Sequence, residues 1–181
     1  NTGSCAGKEV VQVYAACPSG KLKKERKRLV AFGKTALLQP GESETLHLKI
    51  PTALLESYRT GKAVYCMEAG DYDFLVGTSS RDVTLAARLT LDKTVETEHL
   101  TNICPLLDAL KEIQPEEEQE ERWRAEREQM WEEKKAEIPL LFLDEKGLIR
   151  DGKSAEEMYK ILKFGEINAA EAKECDANGC K

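Results

Sequence analysis

The sequence predicts an antiparallel β-sandwich over its first half and an α-helical extension after it, and three observations lead there. Short stretches between residues 9 and 91 alternate side chains with a period of two, the pattern of half-buried strands. Turn residues punctuate them: Pro18-Ser19-Gly20, Pro40-Gly41, Ala69-Gly70-Asp71 and Gly77 to Ser80. No helical pattern of crossover length lies between these strands, which argues for a sandwich over an α/β sheet.

The elements follow in order. Asn1-Thr2-Gly3 and Ala6-Gly7 read as turns. Glu9 to Ala16 is a strand with Val11, Val13 and Ala15 on one face and Val10, Gln12 and Tyr14 on the other. Lys21 to Arg28, KLKKERKR, is a basic run with no interleaved aromatic for base stacking, so it is expected to be a solvated loop. Leu29 to Leu38 is the next strand. Pro40-Gly41 suits a type II turn, since proline presets φ at i+1 and glycine takes the positive φ at i+2. Ser43 to Ile50 then alternates, completing a strand–turn–strand unit that Pro51 stops. Thr52 to Tyr58 is a short helical turn, and Arg59 to Lys62 a loop. Ala63 to Met67 and Tyr72 to Val76 are strands. Asp82 to Leu91 is the last, with Val83, Leu85, Ala87, Leu89 and Leu91 on one face.

The chain changes character near residue 95. Residues 1–95 hold 14 Lys+Arg against 10 Asp+Glu, and residues 96–181 hold 13 against 23, giving net charges of +4 and −10. The reading is a sandwich over residues 1–92 and an acidic, mostly helical extension over 93–181. Within the extension, Pro105 to Lys111 has short helical spacing. Pro115 to Glu137 is a long helix, with Glu116 to Glu118 at the positive end of its dipole and Lys134 and Lys135 at the other. Its large apolar residues are Trp123, Met130 and Trp131, a narrow stripe suited to lying on another surface. Ile138 to Leu143 is a buried strand or extended clamp, turned by Asp144 to Gly147. Ser154 and Glu157 form a capping box for a helix over Ala155 to Phe164, closed by Gly165, and residues from Asn168 are expected to fray.

Several function classes are disfavoured. The net charge of −6 argues against a nucleic-acid partner. No apolar run approaches the ~20 residues that span a bilayer, so no membrane role is expected. The six cysteines (Cys5, Cys17, Cys66, Cys104, Cys175, Cys180) show no CxxC spacing. They are expected to be reduced thiols, Cys175 and Cys180 included. With no export signal before Asn1, this leans to a cytoplasmic location.

The chemistry-bearing residues are sparse. His47 sits on a strand face that points to solvent, and His99 is the only other histidine, so no metal site and no cofactor site are expected. Asp71 with Asp73, or Asp144 with Glu145, are the carboxylate pairs to consider for glycoside hydrolysis. Acidic residues beside turns are more commonly solvated turn-formers. Gly77-Thr78-Ser79-Ser80 lacks the lysine and helix of a phosphate loop. Trp123 and Trp131 are read as packing residues ahead of sugar platforms. No catalytic, cofactor-binding or metal-ligating residue is assigned.

Three stretches carry a resemblance: Asn1 to Tyr14 (NTG-x-x-AGKEVVQVY), Leu29 to Ser43 (LxAFGKTxLLQPGES) and Glu68 to Asp82 (EAGDYDFLVGTSSRD). In this order they resemble the fibronectin type III-like domain at the C-terminus of glycoside hydrolase family 3, the β-glucosidases and β-xylosidases. The resemblance covers roughly residues 1–92. It implies an immunoglobulin-like sandwich packed against the catalytic domains of a parent enzyme that hydrolyses O-glycosyl bonds in carbohydrate metabolism. The family's nucleophile and acid/base lie on upstream domains, so none is carried over here. The family's domain also begins one or two strands before the NTG turn. The sandwich is thus expected to be incomplete, the remnant of a longer protein, with an unpaired strand edge or an uncovered core face. Two functions are expected. One is a non-catalytic accessory module of such a glycosidase, whose extension wraps the catalytic body or an oligomer partner. The alternative is a stand-alone interaction module that binds a protein partner through its acidic helical tail.

Overall fold

A computed structural model describes residues 1–103, 114–138, 140–143, 149–151 and 166–168. Strands β1 (Val10–Ala16), β2 (Arg28–Lys34), β3 (Lys49–Pro51), β4 (Ser57–Arg59), β5 (Val64–Met67), β6 (Gly70–Gly77), β7 (Val83–Leu91) and β8 (Val95–His99) come first. Helix α1 (Glu117–Lys134) and strands β9 (Leu140–Leu143), β10 (Ile149–Asp151) and β11 (Glu166–Asn168) follow. One sheet has the order β10-β9-β7-β6-β1-β2, a second has the order β4-β5-β8, and β3 pairs with β11. The expected helices over Pro105 to Lys111 and Ala155 to Phe164, and the Asp144 to Gly147 turn, lie outside the described residues.

Two apolar cores lie on opposite faces of the larger sheet. The inner one joins Val13, Ala15, Val30, Tyr72, Phe74, Leu89 and Leu91 to Ile50, Leu55 and Met67 from the second layer. This is the sandwich core, and full burial of each large apolar side chain there stabilises by about 1.5–3 kcal/mol. The outer one gathers Ala16, Leu75, Leu85 and Ile138 with Tyr14, Val83, Met130 and Trp131. Helix α1 supplies Met130 and Trp131, so these two residues of the narrow apolar stripe lie on the sheet.

The outer core depends on a bulge that alternation alone conceals. Along β6 and β7, Phe74 faces Ala87 while Leu75 faces Leu85, which leaves Ala86 unpaired. One extra residue reverses the parity of a strand. Val83 and Leu85 therefore turn to the helix side, while Ala87, Leu89 and Leu91 stay in the sandwich. The expected single row of five residues is divided for that reason.

The segment around Pro40-Gly41 also differs from expectation. The turn is present: Gly41 has φ of 85° and the Glu42 amide donates to the Gln39 carbonyl at 3.0 Å, as a type II turn requires. Residues 42–48 form no ladder, however, and the following strand is only Lys49–Pro51. After the turn the chain leaves the edge of β2 and crosses to the second layer, where Ile50 is fully buried. The first residues clamp the turn in place of a hairpin. The Gly41 amide donates to Asn1 O at 2.8 Å, and Asn1 Nδ2 donates to Leu38 O at 2.8 Å. Strand β2 ends the larger sheet, and its Phe32 is 68% exposed.

Three further differences bear on the extension. Strand β8 falls in the part read as a mostly helical extension, where Glu96, Glu98 and His99 make it polar; it pairs with β5, so the second sheet runs through His99. Ser57–Arg59 is a strand where a helical turn running into a loop was expected. Finally, α1 is a crossover helix that delivers β9 parallel to β7, with Leu89 opposite Leu141. The fold is mainly β, an antiparallel sandwich with one parallel strand and one helix added to its outer side. Glu116 caps α1 in a capping box with Gln119.

Candidate functional site

The polar residues of the described structure converge in two places. The first lies between α1 and the larger sheet. Asp73 on β6 stands opposite Arg88 on β7 in the strand register, on the helix side. Arg88 grips it with a fork, Nε to Oδ1 at 2.6 Å and Nη2 to Oδ2 at 3.2 Å. Arg127 descends from α1 and donates from Nε to Asp73 Oδ2 at 2.8 Å and from Nη2 to the Asp71 carbonyl at 2.7 Å. Asp71 and Glu128 stand 3.5 and 3.6 Å from Arg88 Nη1, and the Arg88 guanidinium lies 4.4 Å from the centre of the Trp131 ring. Burial works against the charge of Arg88, and the hydrogen bonds and charge of Asp73 outweigh it, so its affinity for the proton rises. Asp73 is only 1% exposed, and both its oxygens are taken by guanidinium groups. The reading of Asp73 as a solvated turn-former is corrected: it is a buried anchor on a strand. Equally, a carboxylate so engaged is not free to attack a sugar or to activate water.

The second place is the basic run. It was expected to be solvated, yet Lys24 is buried and pairs with buried Glu68. Lys24 Nζ also donates to the Pro18 carbonyl at 2.7 Å, and Glu68 Oε1 accepts the Lys21 amide at 2.9 Å. For Glu68, burial alone would raise the pKa; the bond and charge of Lys24 and the amides of Lys21 and Leu22 reverse this and hold the carboxyl below its ordinary range. Two other members of the run reach α1: Lys23 pairs with Glu120, and Arg26 Nη2 lies 2.5 Å from Glu126 Oε2. The basic loop is therefore the seat of the acidic helix. The sequence did carry a signal for this, in the opposite charges of its two halves, though not which pairs would meet.

Beside Glu68 the end of the sandwich opens into a groove of about 560 Å³, lined by Gly20, Lys21, Arg59, Glu68, Thr94 and Glu96. Lys62 binds Glu96 at 2.9 Å, and this hydrogen bond lowers the pKa of the Glu96 carboxyl.

The remaining candidates stay apart. His47 is exposed on the segment before β3, and His99 is exposed, with Glu96 at 3.5 Å. Among the described residues no group of three or more His, Cys, Asp or Glu side chains could hold a metal. Ser79 Oγ accepts the Arg81 and Asp82 amides at 3.3 and 3.1 Å, closing the Gly77 to Ser80 turn on itself. Asp144 and Glu145 lie outside the described residues, as do Cys104, Cys175 and Cys180. Cys5, Cys17 and Cys66 are free thiols. No helix among the described residues is long and apolar enough to cross a membrane.

The described residues thus form a two-layer β-sandwich with a helix on its outer side. Residues 9–80 match the fibronectin type III-like domain, and the chain carries that domain. It is 40% identical over 107 residues to β-glucosidase A of Butyrivibrio fibrisolvens and 41% identical over 105 residues to a β-glucosidase of Ruminococcus albus. These matches cover 56% and 55% of this chain but only 13% and 11% of those proteins. Among solved structures, a β-glucosidase from Paenibacillus barengoltzii is similar, with 42% identity and a TM-score of 0.52 over 56% of this chain and 12% of that one. The domain is thus of the kind found in β-glucosidases of glycoside hydrolase family 3.

Proposed function

We propose that the chain is a non-catalytic accessory module of a glycosidase of the β-glucosidase type, with catalytic domains of that enzyme as its partner. One observation carries the reading: the chain bears the fibronectin type III-like match at residues 9–80, and the β-glucosidases it resembles match it over about half its length and over only 13% and 11% of their own. The chemistry of the sandwich agrees with it. Its buried carboxylates are engaged within the domain, Asp73 by the guanidinium groups of Arg88 and Arg127 and Glu68 by Lys24 and two backbone amides, an arrangement that adds rigidity. The open half of the outer sheet face, with Leu29 and Phe32 exposed on edge strand β2, is apolar surface available for packing against another domain.

The alternative, partner binding by the acidic helix, has no observation in its favour. Glu120, Glu126 and Arg127 of α1 are engaged by the chain's own sandwich.

Incubation of the purified chain with p-nitrophenyl β-D-glucoside is the test. Release of nitrophenol at the buffer rate is expected. Turnover that scales with the concentration of the chain and persists through purification to homogeneity would overturn the assignment.

A further inference from the structure

We draw no further inference here: the strongest candidate, the open half of the outer sheet face beside edge strand β2, where Leu29 and Phe32 are exposed, carries nothing further because nothing in the structure shows what covers it.

Discussion

Asp73→Ala is expected to lower the unfolding free energy of the chain by about 3–5 kcal/mol, the range for breaking a buried ion pair by removing one partner. The substitution takes away the acceptor of three hydrogen bonds, two from Arg88 and one from Arg127. Arg88 would remain buried between the sheet and α1, with only Asp71 and Glu128 at 3.5 and 3.6 Å to balance it. Desolvation of the guanidinium then goes largely uncompensated. Asp73→Asn keeps the shape and an acceptor oxygen while losing the charge, so its cost should be smaller. Urea unfolding followed by far-ultraviolet circular dichroism measures both. A midpoint shift at unchanged slope is the expected form, and a loss under about 1 kcal/mol for the alanine variant would show that the network adds little.

Arg127→Leu is expected to detach α1 while leaving the sandwich folded. Asp73 keeps its fork from Arg88 in this variant, so no carboxylate is stranded. What is lost is the link from the helix to Asp73 Oδ2 at 2.8 Å and to the Asp71 carbonyl at 2.7 Å. Hydrogen bonds to charged groups contribute roughly 1.5–3 kcal/mol each, and Arg127 supplies two of the helix's links to the sheet. What remains to α1 is the packing of Met130 and Trp131, the Arg88–Trp131 contact, the Lys23–Glu120 pair and the exposed, weak Arg26–Glu126 pair. Both tryptophans of the chain, Trp123 and Trp131, lie on this helix, so fluorescence reports its position selectively. Emission should shift to the red in Arg127→Leu as Trp131 leaves Leu75 and Leu85, with the strand signal in circular dichroism retained. Unchanged emission would mean that packing alone seats the helix.

How legible the molecule was depends on the range of the interaction. Local chemistry read well. The Pro40-Gly41 turn, the faces of β1 and the charge-biased ends of α1 follow from residues a few positions apart, and the structure has them. The bulge at Ala86 did not, because two small residues in a row leave alternation intact on paper while shifting the register in space. Strand β8 was missed since its faces are polar and its edge position needs no apolar row. The crossing of residues 42–48 to the second layer is set by what Asn1 and Ile50 bind, both distant in sequence from the turn. The polar sites were the least legible. Asp73, Arg88 and Arg127 are spread over 55 positions, and a buried aspartate beside a turn motif looks like any surface aspartate. Lys24 likewise sits in a run of eight residues, six of them basic, where nothing marks the one that is buried. The charge contrast between the halves was visible. Its meaning, an acidic helix seated on the basic loop of the same chain, required the fold.

Amide hydrogen exchange of the intact chain tests most directly whether the sandwich and its helix form one structural unit. The amides of α1 beyond its first turn should be protected from exchange well above the rate of an isolated helix, which at 18 residues would be only marginally stable in water. That protection should fall selectively in Arg127→Leu while β6 and β7 keep theirs. Exchange of α1 at peptide-like rates in the parent chain, with β6 and β7 still protected, would contradict it.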